Sequence, residues 1–297
     1  MSKQLMLILN PAAGGGKGVT AIGSAMEVLY RGGYIPTVFY TLGTGEATKL
    51  VLEHAKEYDC VVCVGGDGTL SETVAGLAQL DSPPPLGYIP QGTANDVAAS
   101  LGLSKNPVRA AKAIVQGHTG IVKLDVGKFN ENDYFTYIAA FGAFTEVSYE
   151  TPREQKQALG HLAYVLQGMS QLPKLTYYPA VVEYDDGVVE EDLLFGSVSN
   201  TKSVGGIVRL KDAEIELDDG VFEVTLVRNP KNVMEKNKIV SNILSQNFSG
   251  GPVTMLRSRR VKFTFDRPVK WTRDGEAGGA HQEVVLENLH SAIKFIV

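Results

Sequence analysis

The sequence predicts an α/β domain followed by an all-β domain, the second a β-sandwich. Three observations carry this. At 297 residues the chain is longer than one ordinary core needs. Up to residue 125, short apolar runs alternate with helix-like stretches, the pattern of a parallel sheet with crossover helices. From Tyr134 onward strand-like segments dominate. The domains are expected at 1–125 and 126–288, and the apolar end, 289–297, is a candidate strand returning to the first.

The elements follow in order. Leu5–Leu9 reads as a strand, and Asn10-Pro11-Ala12-Ala13-Gly14-Gly15-Gly16-Lys17-Gly18 as a glycine-rich loop. The loop is not a Walker A motif, because Gly18 stands where Ser or Thr must follow Gly16-Lys17. A dinucleotide G-x-G-x-x-G fails too, since Val19 replaces its third glycine. A helix is expected over Val19–Tyr30, a strand over Tyr34–Thr41, and a helix over Thr44–Tyr58 with Leu50, Val51 and His54 facing inward.

Cys60–Val64 reads as a fully buried parallel strand. It stops at Gly65-Gly66-Asp67-Gly68-Thr69, where a helix to Leu80 begins, with Thr69 as N-cap and Glu72 as capping-box partner. A glycine-rich turn between a strand end and a helix N-terminus lets backbone N–H groups approach phosphate oxygens, and the helix dipole favours the anion. A carboxylate inside such a turn repels phosphate unless a cation or a hydroxyl to be activated needs it. The turn therefore reads as phosphate with Mg²⁺, or phosphate with an activated hydroxyl. Leu86–Pro90 repeats the arrangement. It ends in Gln91-Gly92-Thr93-Ala94-Asn95-Asp96 before a helix at Val97–Leu101. Polar turns at strand carboxyl ends suit a ligand crevice in an α/β sheet. Pro107–Gln116 is a helix, and Ile121–Gly127 is a strand carrying Asp125.

In the second domain, strands are expected at Tyr134–Phe141, Tyr177–Tyr184, Val188–Ser199, Val221–Arg228, Val261–Phe265 and Val284–Leu286, with helices at Leu159–Met169 and Val233–Leu244. Asp185-Asp186-Gly187 reads as a hairpin turn.

Composition narrows the function. The net charge of −5 argues against a general nucleic-acid binder. No apolar run reaches membrane-spanning length. Leu5–Leu9 is too short for a signal-peptide core, so a cytoplasmic protein is expected. Cys60 and Cys63 should point to opposite faces of their strand and pack as small apolar residues. Two acidic stretches, Glu214–Val221 and Asp274–Gly279, read first as turns. The alternatives are a hard-cation site in the first and a general base in the second. The basic stretch Arg257–Arg273 reads as a solvated face, or else as a patch for anionic lipid head groups with Trp271 at the interface.

Taken together, these motifs resemble the diacylglycerol kinase catalytic domain family, in its soluble bacterial lipid kinase branch. The matching residues are Asn10-Pro11-x-x-Gly14, Gly65-Gly66-Asp67-Gly68-Thr69, Pro90-x-Gly92-Thr93-x-Asn95-Asp96, Leu217-Asp218-Asp219-Gly220 and Asp274-Gly275-Glu276. NAD kinases and the phosphofructokinase superfamily share the second motif; the third and the last narrow the choice to lipid kinases. The resemblance implies a nucleotide-binding α/β domain of NAD kinase/phosphofructokinase type, then a β-sandwich.

It also implies transfer of the ATP γ-phosphoryl group to a lipid hydroxyl, most simply diacylglycerol to phosphatidic acid. ATP contacts map onto Asn10, Pro11, Ala12, Ala13, Gly14, Thr41, Gly66, Asp67, Gly68, Thr69, Leu70, Ser71, Glu72 and Thr93. Asp67 would hold catalytic Mg²⁺, with Asp96 and Asp125 supporting it, and Glu276 would be the general base. Asp219, with the carbonyls of Glu216 and Val221, would bind a structural Mg²⁺. Ser71 stands where the family often has Asn, so an altered nucleotide contact is expected there. The implied partner is a lipid at the membrane surface, met transiently and peripherally. No nucleic acid is expected; a homodimer is compatible with exposed strand edges. The alternatives are a kinase for NAD or another soluble acceptor, and a non-catalytic lipid- or nucleotide-binding regulator.

Overall fold

The computed structural model describes residues 2–93, 95–117, 120–142, 176–200, 203–204, 208–209, 218–245 and 251–297. The chain divides into two compact units, Met1–Val126 with Leu289–Val297, and Gly127–Asn288.

In the first unit the order is β1 (Lys3–Leu9), α1 (Lys17–Arg31), β2 (Tyr34–Tyr40), α2 (Glu46–His54), β3 (Cys60–Gly65), α3 (Asp67–Leu77), β4 (Leu86–Pro90), α4 (Asp96–Ser100) and α5 (Pro107–Gln116). The strands run parallel in the order β2-β1-β3-β4. Beyond β4, the end of the last strand of the chain adds in parallel at Phe295↔Leu86. β1 and β3 are buried almost throughout because helices cover both sheet faces. On one face Leu5, Leu7, Leu9, Cys60, Val62 and Val64 pack with Ile22, Ala25 and Leu29 of α1 and Ala110, Ala111 and Ile114 of α5. The alternate residues Met6, Ile8, Val61 and Cys63 are equally buried. Both cysteines are free thiols, and burial pushes each up to about 12, so they serve as core apolar residues.

The predicted cap of α3 is corrected. The helix starts two residues earlier than expected, at Asp67, with Gly66 as N-cap and no side-chain cap bond. Thr69 and Glu72 therefore sit inside the helix. Glu72 instead caps the neighbouring helix: Oε1 accepts from Gly45 N at 2.8 Å and Oε2 from Ala47 N at 3.2 Å. A carboxylate at the positive end of α2 satisfies N–H groups that have no partner within that helix. The helix predicted at Thr44–Tyr58 is shorter, ending at His54 before a 3₁₀ turn at Ala55–Glu57. His54 stacks on Phe39, with ring centroids 5.0 Å apart.

The second unit holds β6 (Asp133–Phe135), β7 (Ile138–Gly142), β8 (Tyr178–Tyr184), β9 (Gly187–Ser199), the short pair β10 (Ser203–Val204) and β11 (Val208–Arg209), β12 (Phe222–Arg228), α6 (Val233–Ser245), β13 (Val253–Ser258) and β14 (Arg260–Arg273). β5 (Ile121–Phe129) leads into it and β15 (Glu276–Ile296) leads out. Its ladders, apart from that end of β15, are antiparallel. β9 pairs with β8 over Gly187–Leu193 and with β7 over Phe195–Ser199. β14 pairs with β8 over Val261–Phe265 and with β7 over Trp271–Arg273. These two long strands thus both pair with β7 and with β8, while β9 also pairs with β12 and β14 with β15, and their inward side chains meet in one core built on Phe129, Phe135, Phe141, Phe263 and Trp271. This is the all-β second domain the sequence predicts.

Several boundaries differ. The short strands expected at Val261–Phe265 and Val284–Leu286 are parts of β14 and β15, which are 14 and 21 residues long. Their polar stretches hid this, because register shifts between Thr264 and Val269 accommodate Pro268 without ending the strand. The strand expected at Tyr134–Phe141 is split at Thr136–Tyr137. Asp185-Asp186 forms the hairpin turn between β8 and β9, closed by Tyr184↔Gly187. The helix expected at Leu159–Met169 lies outside the described residues. Trp271 is fully buried and 4.8 Å from Phe141 between ring centroids, so it is not an interface residue.

Candidate active site

In the first unit, the loops after β1, β3 and β4 come together at the carboxyl ends of the strands. Their approach is set by glycine. A Cβ on Gly92 would lie 2.6 Å from Gly66 Cα, and one on Gly14 would lie 2.8 Å from the Gln91 carbonyl oxygen. No side chain fits at either contact, so backbone meets backbone. Asn10 Nδ2 donates across to Thr69 Oγ1 at 3.0 Å, and within the first loop Asn10 Oδ1 accepts from Ala12 N at 3.0 Å.

Asn95 holds the third loop. It is 2% exposed and left-handed, with φ 54°. Its Oδ1 accepts from Gly92 N at 2.8 Å and from Tyr88 Oη at 3.2 Å, and its Nδ2 donates to the Gly92 carbonyl at 2.7 Å. Its own backbone N–H donates to Asp67 Oδ2 at 2.7 Å. One side chain therefore shapes the loop and aims an N–H at the carboxylate of the neighbouring turn. Sequence reasoning recorded Asn95 only as a motif letter and missed Tyr88. The signal available was an Asn three residues after Gly92 in a turn, since Asn tolerates left-handed backbone.

The other expected residues fall as follows. Pro11, Ala12, Ala13 and Gly14 lie in the first loop and the 3₁₀ turn after it. Thr41 is buried at the end of β2, its N–H donating to the Leu9 carbonyl at 3.0 Å. Gly66, Asp67 and Gly68 form the turn at the start of α3, with Gly68 exposed. Leu70 is core, and its N–H goes to the Gly66 carbonyl at 3.0 Å. Ser71 is half-buried on α3. Glu72 is engaged in capping α2, and Thr93 is exposed. Asp96 opens α4. Asp125 is buried on β5, its Oδ1 accepting from Ser291 N at 2.6 Å and facing His290 Nδ1 at 3.1 Å.

In the second unit, Glu276 is exposed at the start of β15, directly after the turn Asp274-Gly275. Asp219 Oδ1 accepts from Val221 N at 3.0 Å, and its Oδ2 is ion-paired with Arg257. Glu216 lies outside the described residues.

The two groups implied by the resemblance fare differently. The glycine-lined cradle around Gly66 and Gly92 offers close backbone approach, and Asp67 stands at its centre; this donor set fits a triphosphate with a hard cation. Asp219 is ion-paired with Arg257, which also lies 3.4 Å from Glu223, so the described residues there set two carboxylates against one guanidinium. They do not by themselves make a divalent site.

The chain is thus an α/β unit followed by a mostly antiparallel β unit, with a glycine-lined polar cradle at the strand ends of the first. Residues 4–129 match the family described as diacylglycerol kinase catalytic domain, and residues 140–296 match the YegS C-terminal NAD kinase beta sandwich-like domain. The chain is 32% identical over 280 residues to a diacylglycerol kinase of Bacillus subtilis (strain 168), covering 93% of this chain and 91% of that one. It is 34% identical over 283 residues to a diacylglycerol kinase of Staphylococcus epidermidis (strain ATCC 12228 / FDA PCI 1200), covering 94% and 87%. A crystal structure of a diacylglycerol kinase from Bacillus anthracis str. Sterne superposes with a TM-score of 0.78 at 26% identity, covering 99% of this chain and 96% of that one. The chain belongs to the diacylglycerol kinase catalytic domain family.

Proposed function

We propose that this protein is an ATP-dependent lipid kinase that phosphorylates a lipid hydroxyl, with diacylglycerol as the acceptor and phosphatidic acid as the product. The observation that carries the reading is the cradle of three loops with the Asp67 carboxylate fixed by Asn95. Phosphoryl transfer is mostly positioning and charge neutralisation, and such a cradle supplies both.

Mg²⁺, when bound, neutralises phosphate charge. The chain's own residues do the rest. Backbone N–H groups of the Gly66–Gly68 turn and of the first loop receive phosphate oxygens. Asp67 holds the cation side of the nucleotide, and its Oδ2 is kept in place by the Asn95 N–H. Asp96 and Asp125 support that charge network. Glu276 accepts the acceptor's proton as the new bond forms, since a lipid hydroxyl is barely acidic on its own. Contact with the bilayer is peripheral and transient; among the described residues no helix is long and apolar enough to cross a membrane.

The test is ³²P transfer from labelled ATP, with Mg²⁺, to lipids in mixed micelles, with NAD as the soluble control. Label in phosphatidic acid is expected. Label in NAD alone would overturn the lipid reading, and label in another lipid would change the acceptor while keeping the chemistry.

A further inference from the structure

Glu276 leaves a turn that is held by an unusual anchor. β14 and β15 join through the two-residue turn Asp274-Gly275, closed by Arg273↔Glu276. Both turn residues have positive φ, 48° and 80°, as a type I′ hairpin requires. That requirement alone would be met by Asn-Gly with its first side chain in water. Asp274 is instead 7% exposed. Its Oδ2 accepts from Thr136 N at 2.7 Å, and its Oδ1 accepts from Tyr137 N at 3.0 Å and Ile138 N at 3.1 Å. Its own N–H donates to the Ile138 carbonyl at 2.9 Å. These three consecutive amides lie where β6 gives way to β7, so the carboxylate takes up N–H groups at a break in the strand. Next to it, Arg273 pairs with Asp133 at 2.8 Å and lies 5.4 Å from the centroid of the Phe129 ring.

The bonds demand a carboxylate. Donors approach both oxygens, and an Asn would turn its NH₂ toward one set of N–H groups, donor against donor. Charge-assisted bonds to backbone N–H are also the stronger kind. Glu276 opens β15 directly after this turn, so the path of its backbone is set by the turn. We propose that Asp274 is a positioning residue: through the Thr136–Ile138 amides it fixes the turn from which Glu276 projects, and it acts on the reaction only through Glu276. This deepens the reading of Glu276 as the base and rests on it.

The experiment compares wild type, Asp274→Asn, Glu276→Gln and the double variant in the full chain. Lipid kinase turnover is measured along with native-state hydrogen exchange at Thr136, Tyr137 and Ile138. Asp274→Asn is expected to lower kcat by about 10- to 100-fold, the cost of misplacing a catalytic group. The nucleotide KM should stay within about twofold, as for a loss confined to the transition state. Exchange at the three amides should accelerate. The double variant should be no slower than Glu276→Gln alone, because both changes remove one function. Wild-type kcat in Asp274→Asn, unchanged exchange, or multiplicative losses in the double variant would each overturn the proposal. Full turnover in Glu276→Gln would overturn the base reading itself, and the exchange data, read without activity, separate that failure from failure of the anchor. If Asp274→Asn does not fold, Asp274→Glu keeps the charge but displaces it by one methylene; a kcat loss at unchanged nucleotide KM supports the role, and wild-type kcat overturns it.

Discussion

At the scale of single residues, small changes at the loops should have large and separable effects. Asn95→Ala removes a buried side chain that bonds Gly92 twice and leaves a β-carbon residue in the left-handed region. Leaving the Gly92 groups unpaired is expected to cost about 1–3 kcal/mol, read as a lower urea midpoint, with weaker ATP binding. Gly92→Ala must push its loop off Gly66, so nucleotide affinity should fall while a far-ultraviolet spectrum stays native. On the proposed reading of Glu276 as the base, Glu276→Gln should lower turnover by about 10²–10⁴-fold, with nucleotide binding intact by calorimetry.

Glu223 offers a pH test on the same scale. Burial pushes its carboxyl from an ordinary 4.5 up to about 7; Arg257 opposes this and Asp219 adds to it. A raised folded-state value means the native chain holds the proton longer than the unfolded one. Its contribution to stability is therefore best below 4.5 and is lost as pH rises to about 7. Glu223→Gln should flatten that decline, and urea unfolding at pH 5 and pH 8 checks it.

At the scale of elements, the second unit depends on long strands whose apolar residues are spaced around polar ones. Trp271 sits among Phe129, Phe141, Phe263 and Phe265. Trp271→Ala should cost about 3–5 kcal/mol, the usual range for deleting a buried large aromatic, measured as a fall in thermal midpoint. The elements also show where local rules lose to neighbours. Thr69 and Glu72 satisfy a capping-box spacing, yet Glu72 bonds across to Gly45 and Ala47. A pattern of residue types three apart cannot distinguish a helix's own N-terminus from one lying beside it. Similarly, alternation of apolar residues located pieces of β14 and β15 but not their lengths, because the polar stretches were held by ladder bonds that no local pattern encodes.

At the scale of the whole molecule, charge bears on the proposed contact with a lipid surface. Most of the basic stretch is already paired: Arg257 with Asp219 and Glu223, Arg260 with Glu287, Lys262 with Glu283, Arg267 with Asp266 and Arg273 with Asp133. With a net charge of −5, sedimentation with anionic vesicles at about 0.15 M salt, where charges are screened beyond ~8 Å, should recover little protein. Strong, salt-sensitive binding would show that these arginines are available to head groups after all.

The sequence by itself determined the fold class, the family, and the strand–turn–helix repeats that bring Gly66, Asp67 and Gly92 to strand ends, because glycine, hydrophobic period and turn chemistry are local. Only the tertiary structure decided which partner each polar group takes. Asp67 receives the Asn95 N–H, Glu72 caps α2, Asp219 meets Arg257, and Asp274 gathers three amides from residues 136–138. Those partners lie from 25 to 138 positions away along the chain. Pairing at that separation is set by how strands and helices pack, not by any pattern a short window of sequence can hold.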